Sequence, residues 1–487
     1  MKIKSIAKNT SYLTFALIIQ KTLTFAYFTI LARELGPEQL GKYYFAISFT
    51  TMIAIVIDLG LANILTREVS RVWQKHKDYT EEKKQKIQKL LGNVVAIKLP
   101  LSFLALSLAI VIINLIQAEE ITKQLVYISC LCMVLDSFTS TFFAATRGLY
   151  NLIFESMSAV IFPVSTLILG LIAIYNKLDL RFIMGALAIA SIVNFSYSFL
   201  VLKFQWHLKV WPNFNKKGIN LILKLIAPFA FFGIFQRIYT YLDTVLLSTL
   251  ASDFHAGLYQ VAFKIVFALQ FLPLAFIASL YPAMSSYWLN NKKQLAVSFE
   301  RAMNYLIIIS LPISIGIIFL ADKIILIFKS GYSEAVLPMQ IIIASLLFVF
   351  INYPIGSLLN ACDKQKINTR NMIIVTIVSV ILNLILIPHW QVVGASITVL
   401  VTNFLMFVLG IYWVPKIIDY SPWAIVKIFL KSFLAGLIMG GSVFFLKNQF
   451  NIFLVVMLGG IIYFISLFLV KGFTKDDIKS ILVSFKK

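Results

Sequence analysis

Charge is scarce in this sequence. Only 13% of its 487 residues are Asp, Glu, Lys or Arg, about half the share usual in a soluble protein. A chain of this length could not cover its surface with so few charges and stay in water, which excludes a soluble enzyme, a secreted domain and a disordered protein. Three Cys and four His are too few for a disulfide framework or a His/Cys metal centre. Cys130 and Cys132 lie in an apolar stretch without further ligands, so packing is their reading. His76, His207, His255 and His389 form no cluster. No glycine-rich phosphate loop follows a strand-like segment, and no nucleophile motif is present.

Apolar residues take the place of charge. AVILMFWYC make up 60% of the chain, with 42 Phe among them. A membrane-crossing helix needs about 20 mostly apolar residues. That window predicts fourteen spans: 11–35, 43–65, 94–117, 125–146, 156–175, 182–202, 225–250, 258–283, 302–328, 336–360, 372–387, 393–414, 433–446 and 452–470. The expected fold is an all-α polytopic membrane protein. Lys2, Lys4 and Lys8 precede a run too long for a signal peptide and without a small-residue cleavage site, so the first span is expected to remain as a helix.

The 43 Lys and Arg against 21 Asp and Glu give a formal charge of +22. With the N-terminus inside, the outer loops hold only Arg33, Lys42, Lys123, Lys177, Arg181, Lys329 and Lys447, and the spans themselves Lys21, Lys98, Arg237, Lys264 and Lys323. All the others fall inside, as the positive-inside rule demands. One span too many or too few would invert every later loop. The charge excess is therefore topological. It implies contact with the phospholipid bilayer and its anionic headgroups, and no nucleic acid, since the basic loops carry no binding module. The long inner loop 66–93 reads as a solvated helical connector. The end of the chain, 472–487, reads as a cytoplasmic amphipathic tail, with Phe473, Ile478, Ile481, Leu482 and Phe485 at helical spacing.

The chain repeats itself. At one offset of 216 positions, Gln20-Lys21-x-x-Thr24 matches Gln236-Arg237-x-x-Thr240, and Gly41-x-Tyr43-x-x-Ala46 matches Gly257-x-Tyr259-x-x-Ala262. Six spans separate the copies, so both run in the same direction. The expected organisation is a six-helix lobe over 1–203, a second over 204–430, two added helices over 431–471, and the tail. Parallel repeats of this kind flank a central cavity that rocking exposes to either side.

An ionisable side chain in mid-membrane normally faces water or a partner, because leaving it in hydrocarbon costs about 2.5–3.5 kcal/mol on insertion scales. Lys21 and Arg237 hold equivalent repeat positions. Projecting into one cavity, they would make it cationic and suited to a phosphate, carboxylate or sulfate: Arg237 as a two-pronged donor, Lys21 as a point charge. Gln20, Gln236, Thr24 and Thr240 would offer neutral hydrogen bonds, and Lys264 further charge. Lys98, nearer an inner end, reads as snorkelling to the headgroups or as a further substrate contact. Asp58, Asp136 and Asp243 each have two readings: a site for a coupling proton or Na+, or a fixed counter-ion. Glu155 and Asp322, near span ends, read as hydrated. No other cofactor is expected.

Several segments carry a resemblance. Leu31-Ala32-Arg33-Glu34-Leu35-Gly36-Pro37-Glu38-Gln39-Leu40-Gly41, after Gln20-Lys21, resembles the start of bacterial polysaccharide-transport proteins. So do Asp58-Leu59-Gly60-Leu61 with Arg67-Glu68, Thr146-Arg147-Gly148-Leu149, Leu359-Asn360-Ala361, the run Ile381-Leu382-Asn383-Leu384-Ile385-Leu386-Ile387-Pro388, and Gly394-Ala395. The chain is similar over nearly its whole length to the Wzx-type oligosaccharide flippases of the multidrug/oligosaccharidyl-lipid/polysaccharide exporter superfamily. It departs at Asp363-Lys364, where the family often shows Gly-Lys. The resemblance implies two lobes, a cationic cavity and ion-driven alternating access in a bacterial cytoplasmic membrane. Its implied cargo is an oligosaccharide on undecaprenyl pyrophosphate, as in O-antigen or capsule assembly, moved from the inner to the outer leaflet. The last two helices would form a groove for the lipid tail. A monomer working beside a glycan polymerase and other assembly proteins is the expected setting, with both termini cytoplasmic. The competing readings are a multidrug exporter of the same superfamily, a membrane glycan polymerase or ligase, and a channel.

Overall fold

The computed structural model describes residues 3–74 and 81–472. Within them the chain is helical, without strands. The elements are α1 Ile3–Ile53, α2 Ile55–Asp58, α3 Leu61–Gln74, α4 Glu81–Leu115, α5 Glu120–Gly148, α6 Ile153–Tyr175, α7 Leu180–Leu200 and α8 Lys216–Leu250. They continue as α9 Asp253–Leu269, α10 Phe271–Asn290, α11 Lys292–Ile325, α12 Val336–Ala344, α13 Leu346–Ala361, α14 Gln365–Ile411, α15 Pro422–Leu446 and α16 Ile452–Leu469. The expected amphipathic tail lies outside the described residues, apart from Gly472.

The expected spans fall on helix, most on one rod and 43–65, 258–283 and 336–360 on consecutive pieces, and two of the breaks between rods have clear local causes. α1 is two rods meeting at Gly36, where φ is 72° and ψ 173°. The following Pro37 disfavours helical backbone at the residue before it, and glycine takes the resulting conformation without a Cβ clash. α14 is likewise two rods, divided at Gln391 (φ 48°) just beyond Pro388. The thirteenth rod is longer than the apolar run implied. α15 starts at Pro422, in the first helical turn, and Ser421 caps it by accepting the Ala424 N–H. Lys427 and Lys431 interrupt the apolar run there without interrupting the helix.

The chain packs as two compact units, Met1–Gly257 and Leu258–Lys487. The repeat divides the chain after residue 203, one rod earlier. Packing takes in α8 because it lies along α1. One core of the first unit gathers Leu61, Leu65, Val69, Ile87, Leu91 and Val94 with Phe142 and Leu202. This revises the solvated connector. The described part of 66–93 is helical, but Ile87 and Leu91 fall on one stripe of α4 and are buried. Lys83 is buried with them, donating to the Trp73 carbonyl at 3.0 Å with its ammonium over the Trp73 ring. The second unit has a core around Phe299, Met303, Ile355, Leu358 and Val414. A further cluster joins Ile315 and Leu320 of α11 to Met439, Val443, Val455 and Tyr463 of α15 and α16.

One contact in the first unit obeys the sequence repeat. A Cβ on Gly41 would collide with the Asp253 carbonyl, and one on Gly257 with the Pro37 carbonyl. The 216-residue offset carries 37 to 253 and 41 to 257. Each copy therefore presents its glycine to the same backbone position of the other, which is how a two-fold contact is built. Lys42 stands beside it, paired with Glu38 at 3.0 Å and Glu119 at 2.7 Å.

Candidate substrate and ion site

The second rod is broken within the apolar region. α2 has four residues, and after Asp58 the backbone turns left-handed at Leu59 (φ 36°) and Gly60 (φ 76°) before α3 begins. Asp58 thus stands at an interrupted helix end, and side chains from three other helices close on it. Its Oδ1 accepts from Lys98 Nζ of α4 at 2.9 Å and from Ser137 Oγ of α5 at 2.6 Å. Its Oδ2 accepts from Arg237 Nη1 of α8 at 3.1 Å. Lys98 Nζ also donates to the Ser137 carbonyl at 2.9 Å and to Ser137 Oγ at 2.8 Å.

Lys98 is fully buried, whereas the Asp58 and Arg237 side chains keep 23% and 29% of their exposure. The snorkelling expectation for Lys98 is therefore corrected. Its ammonium points inward, and its contacts with Asp58 and Ser137 account for all three donors an ammonium has. This occupation also removes it from the side chains that can touch a substrate directly. A buried ammonium is tolerated because those three contacts replace its water.

Two polar cavities lie on this knot. One of about 240 Å³ is lined by Thr50, Thr51, Asp58, Ser129, Asp136, Ser137, Ser140 and Arg237. The other, about 290 Å³, is lined by Gln20, Asp136, Thr139, Ser140, Arg147, Glu155, Ser158 and Asn194. Asp136 and Ser140, one turn apart on α5, line both. Asp136 makes no ion pair among the described residues. Around the first cavity two carboxylates face one guanidinium, with the Lys98 ammonium behind them. Arg237 thus stands in a charge-balanced cluster.

The other expected residues divide. Gln20 reaches the second cavity. Lys21, Thr24 and Gln236 are exposed, and Lys21 lines neither cavity. Thr240 returns its hydroxyl to the Gln236 carbonyl at 2.8 Å. Lys264 is half-buried and Asp243 buried. Two acids expected to be merely hydrated are paired: Glu155 with Arg147 at 3.2 Å, and Asp322 with Lys447 at 2.9 Å. Sequence reasoning passed over Ser137, Ser158 and Asn194, since a serine or asparagine in a membrane helix has no signal of its own. Arg147 was visible, inside Thr146-Arg147-Gly148-Leu149.

The second unit holds a cavity of another kind. An apolar groove of about 1070 Å³ runs between α11, α15 and α16. Its lining includes Phe276, Ile309, Ile313, Ile317, Val456 and Phe464, and among the described residues its one charged side chain is Arg301.

The family described as "Polysaccharide biosynthesis protein" matches residues 6–288, more than half of the chain. The chain belongs to this polysaccharide biosynthesis family. A second family, described as MatE, matches residues 228–388. Among curated relatives, the chain is 21% identical to a "Probable low-salt glycan biosynthesis flippase Agl15" of Haloferax volcanii, covering 94% of each. It is likewise 21% identical to the "Capsular polysaccharide biosynthesis protein CapF" of Staphylococcus aureus, covering 84% of this chain and 99% of that one. Among solved structures it is similar to "Lipid II flippase MurJ, inward closed conformation", with a TM-score of 0.73, 18% identity, and coverage of 94% and 97%. An inward-facing multidrug resistance MATE transporter follows at a TM-score of 0.66, 14% identity, and coverage of 82% and 97%. The family member described here is thus a multi-pass membrane protein of the flippase kind, with the all-α fold of these transporters.

Proposed function

We propose that this chain flips an oligosaccharide linked to undecaprenyl pyrophosphate from the inner to the outer leaflet of a bacterial cytoplasmic membrane, by ion-coupled alternating access. Both termini are then cytoplasmic, as the loop charges require. The observation that carries the reading is Arg237. Its guanidinium is anchored through one nitrogen to Asp58, is partly exposed, and belongs to the lining of a polar cavity, an arrangement that suits a phosphate in a low-dielectric setting. The groove of the second unit supports it, since it offers an apolar bed to a long lipid tail. Sugars and pyrophosphate cannot shed their water into hydrocarbon without replacement hydrogen bonds. Thr50, Ser129, Ser140 and Gln20 supply neutral ones. Lys21 is the second cation of the proposal, and Lys264 and Asp243 remain candidates beside it.

The test is export in cells. Deleting the gene should leave lipid-linked glycan on the inner leaflet. Complementation with Arg237→Gln should fail while the protein still reaches the membrane. Normal export by the Lys21→Gln/Arg237→Gln double variant would sink the assignment.

Asp136 favours one second reading. A carboxylate without an ion pair beside a cavity also suits a cationic drug, the multidrug-exporter alternative. Deletion would then change drug susceptibility and leave surface glycan intact.

A further inference from the structure

We infer that Asp58 is a stand-in for the cargo's phosphate: it neutralises Arg237 in the empty carrier, yields it to the incoming anion, and takes it back as the cargo leaves. This rests on the proposed reading of Arg237 and concerns what controls that residue.

The argument starts from the asymmetry of the two cations on Asp58. Lys98 is fully buried and holds Oδ1 together with Ser137. Arg237 holds Oδ2 through one nitrogen, is partly exposed, and borders the cavity. If Arg237 turns to another anion, Asp58 keeps Lys98 and Ser137 as partners. The carboxylate is then not left bare, and the cost that normally attends breaking a buried pair is avoided. The same exchange in the other direction would leave Lys98 without a counter-charge, so only Arg237 is free to move between anions.

An empty carrier carrying an unpaired guanidinium through the membrane interior would face a charge penalty. Asp58 removes it. The carboxylate also competes with the cargo for the guanidinium, so it weakens binding and speeds release. Lys98 and Ser137 act as positioning residues: they draw charge from Asp58 and so loosen its hold on Arg237.

The two kinds of variant should therefore move affinity in opposite directions. Removing Lys98 alone leaves Asp58 with Arg237 as its one cation and should weaken anion binding. Removing the pair, as Asp58→Asn/Lys98→Met, frees Arg237 and should strengthen it. The probe is inorganic pyrophosphate, titrated calorimetrically into the purified full-length protein in lipid nanodiscs. We expect Kd to fall about five- to tenfold in the double variant and to rise by a similar factor in Lys98→Met. Ser137→Ala is a milder substitution of the same sense as Lys98→Met and keeps the test available should Lys98→Met fail to fold. Glycan export by the double variant should drop despite its tighter binding, because release is slowed. Unchanged affinity in the double variant, or a shift of the same sign in both kinds, overturns the inference. If wild type and Arg237→Gln bind pyrophosphate equally, the reading of Arg237 falls, and the inference falls with it.

Discussion

Asp58, Lys98 and Arg237 are costly residues to place between membrane helices, and their geometry shows how the cost is met. Each charged group finds an opposite charge or a hydroxyl within 3.1 Å. The cluster should behave as a unit under mutation. Asp58→Asn leaves Lys98 facing a neutral amide and should lower stability by about 3–5 kcal/mol, the usual cost of stranding a buried charge. Adding Lys98→Met should recover most of it. Thermal unfolding of the purified variants checks this; additive losses in the double variant would mean that the pair is not coupled. Asp136 differs because it makes no ion pair among the described residues. If it carries the coupling proton or Na+, Asp136→Asn should flatten the dependence of export on pH or on Na+. An unaltered profile would assign the coupling elsewhere.

Interruptions matter more than lengths among the helices. Gly36 and Gln391 each divide a continuous helical stretch into two rods, and the break after Asp58 sets a carboxylate where three helices can reach it. The Gly41–Asp253 and Gly257–Pro37 contacts tie the first repeat to the second at equivalent positions. Each is a backbone-to-backbone approach with no room for a side chain. Gly41→Val and Gly257→Val should therefore damage the protein to a similar degree, seen as a smaller folded fraction after extraction. A large difference between them would show that the contact is not functionally two-fold. Gly460 is the opposite case. It lines the apolar groove, and a Cβ there meets nothing within 4 Å. Gly460→Phe should fill the groove without harming the fold and should reduce glycan export. Full export by a folded Gly460→Phe protein would remove the groove from the pathway.

At the level of the chain, the comparisons and the packing agree on an all-α transporter fold of the flippase kind, with eleven helices among the described residues long and apolar enough to cross a membrane, and the repeat links residues of α1 and α8. Much of this was readable from residue order. The helical membrane class follows from apolar length, because the bilayer imposes one dimension on every crossing helix, while the direction of the spans is the expectation drawn from where lysine and arginine are absent. The repeat was legible because Gln20, Thr24, Gly41 and Tyr43 recur without a gap, with Arg237 in the place of Lys21. The site was only half legible. Arg237 and Asp58 stood out as charges in apolar runs. Lys98 was misjudged because distance along a helix does not say which way a side chain points. Ser137 and Asn194 gave no signal, since their roles come from neighbours on other helices.

Composition and order alone determined the membrane setting, the helical class and the family, because each depends on local apolar length or on a motif contiguous in the chain. The pairing of Asp58 with both Lys98 and Arg237, the charge balance at the cavity and the apolar groove could come only from the packed structure. Each joins residues 40 to 179 positions apart or separate helices, and such contacts are set by how helices lie against one another.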